Sequence, residues 1–388
     1  MGTASVSHTV LILGGGVGGV VAANRLRRLL PKGDRIIVVD RHADSSFGAS
    51  LPWLVAGQRS REAISRPLRQ LLKSGVELVI GDIDEIDPLS RSVVVDGRRL
   101  AGEDLIIALG ASLAPERIPG LAEAGFNFYQ PEGAEALRQE MARFRGGRLV
   151  VLTAAPAYKC PAAPYETALL LEDICRSRGI RDKVDVRLFA AEPGPMGVAG
   201  PAVSAAVRGM LEARGIAYLP EHQVRTVDPV AKTIEFTNGV AASFDLLAFV
   251  PPHVAPDVVL HAGLAGENGW MSADRHTLET KWPGVYALGD VVSFPLAMGK
   301  PLPKAGVFAR AQAQVVARNI ASKRRDREAS ARFEGHGMCF IEIGGGKAGI
   351  GRGNFYAEPV PTVALHAPGR LGHFAKVLFE QQWLRGWA

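Results

Sequence analysis

The sequence predicts an α/β protein with two parallel-sheet domains and a smaller C-terminal domain, and three observations support this fold class. First, "TVLIL" (9–13) and "RIIVV" (35–39) are short apolar runs that flank a segment with apolar residues at helical spacing (17–30). This order of strand, helix and strand predicts a βαβ unit, and therefore a parallel sheet. Second, another α/β set begins with "GGRLVVL" at residue 146. Third, the segment from "MCFIEIGGG" (338–346) onward has strand patterns and ends in a helical one.

The remaining elements follow from the same two periodicities. Further strands of the first domain are predicted at 76–80, 91–95, 104–109 and 284–290, with a long helix at 304–323. The second set contains helices near 166–178 and 202–214, and strands at 184–191 and 244–250. The charged run "RRDRE" marks a boundary after the long helix. We therefore expect a discontinuous first domain (1–112 and 256–325), a second Rossmann-like domain (113–255) and a C-terminal domain (326–388).

Composition excludes several classes of protein. The chain has 388 residues, 47% of them hydrophobic, and a net charge of +6 without a block of basic and aromatic residues, so no nucleic-acid partner is expected. Its three cysteines, Cys160, Cys175 and Cys339, are too few for a disulfide scaffold and lack metal-ligand spacing. No apolar run reaches the roughly 18 to 20 residues that span a bilayer. The first strand begins so early that no signal peptide is expected, and the cytoplasm is the expected compartment.

The phosphate-binding signal is Gly14-x-Gly16-x-x-Gly19. It lies between a strand and a helix, so backbone N–H groups and the helix N-terminus can hold a pyrophosphate. Asp40 closes the second strand, where a carboxylate can accept hydrogen bonds from ribose hydroxyls. A second match at 344–349 follows a strand but precedes no helical pattern, so a hairpin or bulge is expected there.

Two later segments identify the dinucleotide. "DLIIALGAS" (104–112) and "GVYALGDVV" (284–292) resemble the returning segments of flavoproteins with two dinucleotide-binding domains. The resemblance implies non-covalent FAD, since no cysteine precedes Cys160 to form a thioether. A helix opening near Lys304 would direct its positive end toward the isoalloxazine. The expected cofactor-binding residues are Gly14, Gly16, Gly19, Asp40, Arg41, Ala108, Gly110, Gly289, Asp290 and Lys304.

Several segments together resemble the sulfide:quinone oxidoreductase and flavocytochrome c sulfide dehydrogenase family, which is related to the type II NADH dehydrogenases. They are "YKCPAAPYE" (158–166), "VPPHVAP", "TLETKWPGVYALGDVV", "PLPKAGVFARAQAQVVA" and "MCFIEIGGG". The resemblance implies that Cys160 and Cys339 form a redox-active pair facing the flavin. It also implies that Glu166 is an acid/base group, sulfide the substrate and quinone the acceptor. A sulfide anion attacking the disulfide leaves a persulfide and a thiolate. Cys175 lies at helical spacing with Leu171 and is expected in the core.

Two other functions stay open at this point. An NADH-dependent quinone or disulfide reductase needs a second glycine turn after "LVVL", whereas "TAAPAYKC" (153–160) contains no glycine. Glu192 could imitate a ribose-binding carboxylate, but without that turn a surface or structural role is expected. A flavin-binding sensor or scaffold without catalysis is the second alternative. Many sulfide:quinone oxidoreductases carry a third cysteine upstream of Cys160, and "GFNFYQPEGAEAL" (125–137) has none. The step that releases sulfur is therefore open.

The end of the chain is predicted to be an amphipathic helix. Phe374, Val377, Leu378 and Leu384 form one apolar stripe, and Phe379, Trp383 and Trp387 form another. This pattern suits peripheral contact with the inner face of the cell membrane, or docking onto the helix's own domain or a second subunit in a homo-oligomer. The family resemblance also implies a quinone pocket here, with Phe340, Phe374 and Lys376 as its candidate residues.

Overall fold

The computed structural model of the protein describes residues 7–386. Two five-stranded parallel sheets and one antiparallel sheet form its framework. The first sheet has the order Val285–Ala287, Asp104–Ile107, Thr9–Leu13, Arg35–Asp40 and Glu77–Ile80. The second has the order Phe126–Asn127, Leu246–Val250, Gly147–Thr153, Val184–Ala190 and Ala217–Leu219. The predicted pair of Rossmann-like sheets is therefore confirmed.

Both sheets are built from apolar strands because helices cover their faces. In the first sheet, residues 10–13 and 105–107 are fully buried. The helices are Val17–Leu29, Leu51–Val55, Arg61–Ile64, Leu68–Leu71, Leu121–Ala124, Pro131–Arg143, Ala163–Ser177, Pro201–Glu212, Asp257–His261, Gly306–Lys323 and Arg370–Leu384. Short 3₁₀ turns occupy Gly48–Ser50, Pro115–Arg117, Arg181–Lys183, Gly197–Ala199 and Gly289–Val291. Among the helices described from residue 7 to residue 386, none has the length and apolar character needed to cross a bilayer.

The two parallel-sheet domains also contain smaller sheets. Ile83–Asp87, Ser92–Val95 and Arg98–Ala101 form one antiparallel sheet, and Val224–Asp228, Thr233–Phe236 and Ala241–Ser243 form another. Asp44–Ser46 pairs with Ser65–Pro67, and Ser112–Leu113 pairs with His253–Val254. The predicted strand at 91–95 therefore exists, but it lies outside the parallel sheet. The pairing of 112–113 with 253–254 joins the two passages between the parallel-sheet domains. It supports our proposal that the domain boundaries lie near residues 112 and 255.

The C-terminal sheet consists of His336–Glu342, Ala348–Asn354 and Thr362–Gly369 in antiparallel order. The first two strands form a hairpin whose turn contains Gly344, Gly345 and Gly346, all with positive φ. The second glycine motif is therefore a hairpin turn, as the sequence predicted. The helix Arg370–Leu384, called here the terminal helix, follows this sheet and packs back onto the first domain.

The terminal helix docks through the second of its two predicted stripes. Trp383 is buried and stacks on Phe47 with ring centroids 5.0 Å apart, and Phe379 lies 5.6 Å from the same ring. Trp387 lies outside the described residues. Phe374 and Leu378 of the other stripe point outward and are 58% and 47% exposed, whereas Leu384 of that stripe packs partly buried against the core. One face of the helix therefore covers its own first domain, and the other remains at the surface.

Candidate active site

The first glycine motif forms a tight turn between the strand Thr9–Leu13 and the helix Val17–Leu29. Gly14 has φ +99°, which side-chain-bearing residues rarely adopt, and the Gly15 N–H donates to Asp40 Oδ2 at 2.6 Å. A Cβ on Gly19 would lie 1.8 Å from the Gly14 carbonyl oxygen, so Gly19 permits the close packing of helix on strand. A Cβ on Gly16 would meet no atom within 4 Å, because Gly16 opens onto a cleft.

That cleft has a volume of about 1470 Å³ and lies where both parallel-sheet domains meet the C-terminal domain. Most of the predicted site residues line it: Gly14, Gly16, Asp40, Arg41, Ala108, Gly110, Cys160, Glu166, Gly289, Asp290, Lys304, Cys339, Phe340 and Lys376. Two predicted residues do not, namely Gly19 and Phe374. The structure thus gathers residues from all three parts of the chain at one site.

Charged groups lie deep in the cleft around Asp290. Burial raises the pKa of the Asp290 carboxyl, and the neighbouring ammonium groups of Lys159 and Lys304 oppose that shift. Lys304 donates to the Asp290 and Val292 carbonyl oxygens at 2.6 and 2.9 Å, and burial lowers its pKa to about 8. Its Nζ also lies 3.4 Å from the centroid of the Trp270 ring. Lys304 therefore fixes the loop that carries Asp290, just before the long helix begins at Gly306.

Cys160 has an unusual backbone conformation. Its φ of +51° lies in the left-handed region, and so does the φ of +64° at Ala157. Three hydrogen bonds hold the residue: its N–H donates to the Lys304 carbonyl at 2.7 Å, and its carbonyl accepts from the Ala163 N–H at 2.9 Å and from the Tyr129 hydroxyl at 3.1 Å. The helix Ala163–Ser177 begins immediately afterwards, which places Glu166 in its first turn.

Cys339 approaches the same place from the C-terminal hairpin, where it lies opposite Gly351. Both cysteines are free thiols that line the cleft. Burial raises the pKa of Cys160 to about 12, and the Glu166 carboxylate adds to this shift. The pKa of Cys339 is raised further, first by burial and then by the negative charge of a Cys160 thiolate. Both thiols therefore line the same cleft, where burial makes ionisation of either thiol unfavourable.

Glu166 and Lys376 form a buried ion pair beside the two thiols. Their side chains are each 3% exposed, and Lys376 Nζ lies 2.7 Å from Glu166 Oε1. The same oxygen accepts the Glu342 N–H at 2.9 Å. Lys376 Nζ also lies 4.5 Å from the centroid of the buried Trp53 ring. Two buried charges need such compensation, because water solvates neither of them.

Three residues around this ion pair, Glu342, His373 and Trp53, could not be identified from the sequence. Glu342 is 1% exposed, burial raises its pKa, and its Oε1 accepts from His373 Nδ1 at 2.9 Å. His373 is partly exposed and lies at the edge of Trp53, with ring centroids 5.7 Å apart. Contacts therefore connect Lys376 to Glu166, Glu166 to Glu342 through its backbone N–H, and Glu342 to the partly exposed His373.

The end of the cleft next to Lys376 is apolar. Phe340 and Phe379 line it with ring centroids 5.6 Å apart, together with Phe47, Leu51 and Pro52. Phe374 was predicted for this pocket, but it lies on the exposed side of the terminal helix and does not reach the cleft. Since the terminal helix buries Lys376 and Glu380 inward, a residue two positions before Lys376 points away from the cleft.

Two observations indicate that the cleft fits FAD. The Oδ1 atom of Asp290 is buried without a hydrogen-bond partner among the described residues, and a ribityl hydroxyl would satisfy it. Gly16 leaves open space beside the first N–H groups of a helix, where a pyrophosphate binds. The glycine turn, Asp40, Asp290 and the segment before Gly306 would hold the cofactor along the cleft. Bound there, FAD supplies two-electron redox chemistry.

Comparison with known proteins identifies the family of this chain. A family model for pyridine nucleotide-disulphide oxidoreductases matches residues 8–314. The chain belongs to this family. It is 28% identical to the sulfide-quinone reductase of Aquifex aeolicus (strain VF5), over 97% of its own length and 90% of that protein. It is 25% identical to the mitochondrial sulfide:quinone oxidoreductase of Mus musculus, over 93% and 81% of the two chains.

A solved structure shows the same fold. The crystal structure of the Aquifex aeolicus sulfide:quinone oxidoreductase superposes with a TM-score of 0.87 at 27% identity and covers 97% of this chain and 91% of that one. The chain is therefore an FAD-dependent oxidoreductase, as its sequence predicted. An enzyme is favoured over a scaffold without catalysis.

Proposed function

We propose that this flavoprotein oxidises sulfide through Cys160 and Cys339 and delivers the electrons to a quinone. The observation that carries the proposal is that one cleft contains both thiols, the buried pair of Glu166 and Lys376, and the residues that fit FAD. The similarity to proteins named sulfide:quinone oxidoreductases supports the same substrate and acceptor.

The sulfur chemistry starts from the oxidised pair. HS⁻ attacks one sulfur of a Cys160–Cys339 disulfide, so a new S–S bond forms and the bond between the two cysteines breaks. One cysteine becomes a persulfide and the other leaves as a thiolate. The substrate sulfur thereby loses two electrons to the pair. A second HS⁻ attacks the outer sulfur of the persulfide, which leaves as H₂S₂ and returns the cysteine to a thiolate. The two cysteine sulfurs then give up two electrons and form the disulfide again. FAD held in the cleft would supply the two-electron chemistry that connects the cysteine pair to the quinone, which takes up two protons as it becomes a quinol.

Glu166 and Lys376 are placed to move the protons of this reaction. A leaving Cys160 thiolate is unfavourable in this cleft, because burial raises the pKa of the thiol to about 12. The Lys376 ammonium opposes that shift, whereas the Glu166 carboxylate adds to it. A base that takes the proton of the new persulfide and passes it to the departing sulfur would favour departure as a thiol, and the Glu166 carboxylate lies in the first turn of the helix Ala163–Ser177. We assign this acid/base role to Glu166.

The quinone pocket is proposed at the apolar end of the cleft. Phe340 and Phe379 offer ring faces to a planar head group, and Lys376 offers a donor to a quinone oxygen. The outward stripe of the terminal helix adjoins this region. Phe374 and Leu378 on that stripe are 58 and 47% exposed, and Leu371, three residues before Phe374, is 85% exposed. We infer that this stripe makes peripheral contact with the membrane from which an apolar quinone would be taken.

The test is an anaerobic titration of the FAD-loaded protein with sulfide while the flavin absorbance is followed. We expect sulfide to bleach the flavin of the wild-type protein. Cys160→Ser and Cys339→Ser are each expected to abolish bleaching and to leave FAD bound. Cys175→Ser is the matched control, because Cys175 is fully buried near the C-terminal end of a helix and is not among the cleft-lining residues.

Two results would count against the proposal. If either Cys160→Ser or Cys339→Ser bleached at the wild-type rate, the thiol pair would have no part in the reaction. If NADH bleached the wild-type flavin and sulfide did not, the protein would be an NADH-dependent reductase instead. Addition of a soluble quinone after bleaching should restore the oxidised spectrum.

A further inference from the structure

Glu192 is the centre of a hydroxyl cluster in the second domain. It follows the strand Val184–Ala190, whose neighbour Gly147–Thr153 ends alongside it. Its Oε1 accepts from the Tyr158 and Tyr165 hydroxyls at 2.6 and 2.5 Å. Its Oε2 accepts from the Thr153 hydroxyl at 2.9 Å. Both carboxylate oxygens are therefore engaged by donors of the protein itself.

The position of Glu192 is the one from which a dinucleotide-binding domain ordinarily binds its cofactor. A carboxylate after the second strand of such a βαβ unit ordinarily accepts ribose hydroxyls. In the first domain, Asp40 has this position, and only three residues (14–16) connect the strand to the helix. In the second domain, nine residues (154–162) lie between strand and helix, and Tyr158 and Tyr165 reach the carboxylate. The tyrosine hydroxyls therefore make the hydrogen bonds that ribose hydroxyls ordinarily make with a carboxylate at this position.

The same hydrogen bonds hold the segment that carries Cys160. Tyr158 lies two residues before Cys160, and Tyr165 lies immediately before Glu166. Both rings are buried, with Tyr158 8% and Tyr165 0% exposed. The left-handed conformations of Ala157 and Cys160 are unfavourable for residues with a Cβ, and they persist only where surrounding contacts enforce them. A buried tyrosine fixed by a carboxylate supplies such a contact.

We propose that Glu192 is a positioning residue that holds the segment 154–162, keeps Cys160 beside Cys339, and withholds the ribose acceptor from nicotinamide dinucleotides. The part played by the cysteine pair in turnover rests on the proposed function. The position and reactivity of the Cys160 thiol do not, because they can be measured without sulfide or quinone.

The test uses four variants of the full-length FAD-loaded protein. Glu192→Ala removes the acceptor, and Tyr158→Phe and Tyr165→Phe each remove one donor while retaining the ring. Tyr356→Phe is the matched control, because its hydroxyl donates to the Arg275 carbonyl at 3.0 Å and it does not line the cleft. If Glu192→Ala does not fold, Tyr158→Phe and Tyr165→Phe still test the proposal.

The first measurement is the rate at which iodoacetamide alkylates each cysteine of the reduced protein, read by mass spectrometry of peptides. We expect Glu192→Ala to raise the rate at Cys160 at least about fivefold, because the segment that buries this thiol loosens. Tyr158→Phe should act in the same direction by about two- to threefold. The rates at Cys339 and Cys175 should change less than about twofold. An equal change at all three cysteines, or none at Cys160, would overturn the proposal.

The second measurement is the equilibrium between dithiol and disulfide in glutathione buffers. Because a loosened segment brings the two sulfurs together less often, Glu192→Ala should favour the dithiol about tenfold, which is about 30 mV in potential. Unchanged equilibrium in Glu192→Ala would overturn the positioning role and leave the proposed function intact. Absence of any disulfide in the wild-type protein would instead contradict the proposed function, and the alkylation rates would still decide the role of Glu192.

The withheld ribose acceptor has its own test. NADH is added to the oxidised wild-type protein, and its binding is followed by fluorescence of the nicotinamide. We expect no saturable binding at NADH concentrations that saturate dehydrogenases, roughly 1 mM. If the wild-type protein bound NADH saturably, and Tyr158→Phe bound it with the same affinity, the tyrosines would not exclude the dinucleotide.

Discussion

Replacing Lys376 with methionine tests the ion pair beside the two thiols. Lys376 Nζ and Glu166 Oε1 are 2.7 Å apart, and both side chains are 3% exposed. At an effective dielectric constant of 20, two unit charges at this distance attract by about 6 kcal/mol, and the cost of desolvating them opposes this attraction. Removal of one partner from a buried pair costs about 3 to 5 kcal/mol, because the other charge stays buried without compensation.

The assay is thermal unfolding of the FAD-loaded protein by scanning calorimetry. With an unfolding entropy of about 2.1 cal/mol/K per residue over 388 residues, a loss of about 3 to 5 kcal/mol lowers the Tm by about 4 to 6 °C. The double variant Glu166→Gln/Lys376→Met should lose less than the single variant, since no unpaired charge remains.

A surface ion pair of equal length is the control. Arg35 and Glu77 also lie 2.7 Å apart, but their side chains are 53 and 47% exposed. Arg35→Met should therefore cost less than about 1 kcal/mol. The reasoning is refuted if Lys376→Met and Arg35→Met lower the Tm equally, or if the double variant is as unstable as the sum of its single changes.

Three further outcomes are expected. The rate of iodoacetamide alkylation at Cys160 should rise about tenfold per pH unit through pH 9 and level off only toward the pKa of about 12; a plateau near pH 9 would show that burial does not control this thiol. Gly16→Ala should weaken FAD binding without changing the Tm of the flavin-free protein, because its Cβ meets only open cleft. Gly19→Ala should lower that Tm by several degrees, since its Cβ would lie 1.8 Å from a carbonyl oxygen; equal behaviour of the two variants in calorimetry would contradict this. The hydrogen bond that the His8 ring donates to the Asp104 carboxylate raises the pKa of His8 above its usual value. Protonated His8 therefore stabilises the fold at low pH, and this contribution is lost as the pH rises through the raised pKa. The Tm difference between wild type and His8→Asn should therefore be larger at about pH 6 than at about pH 9, and a difference independent of pH would contradict this.

The features that could be predicted from sequence are those encoded within one short segment of the chain. The turn around Gly14 needs a strand before it and a helix after it, and both have periodicities visible within about 30 residues. The hairpin around Gly345 could be separated from that turn because no helical pattern follows it. The cysteine pair was accessible only through the family resemblance, because Cys160 and Cys339 are 179 positions apart.

The features that could not be predicted are contacts between distant side chains. Nothing in "IEIGGG" indicates that Glu342 accepts from His373, and nothing in "LPWLV" indicates that Trp53 packs beneath Lys376. The assignment of Phe374 to the pocket failed for a related reason. Helical spacing defines two apolar stripes on the terminal helix, but only packing against Phe47 decides which of them faces inward.

The long separation of the two cysteines has a consequence during protein synthesis. At about 5 to 20 residues per second, the ribosome needs roughly 9 to 36 s to add the 179 residues from 161 to 339. Throughout that interval, the nascent chain contains Cys160 but not yet the hairpin that supplies Cys339. The surroundings that suppress its ionisation are incomplete as well, so this thiol is more open to oxidants on the ribosome than in the finished enzyme.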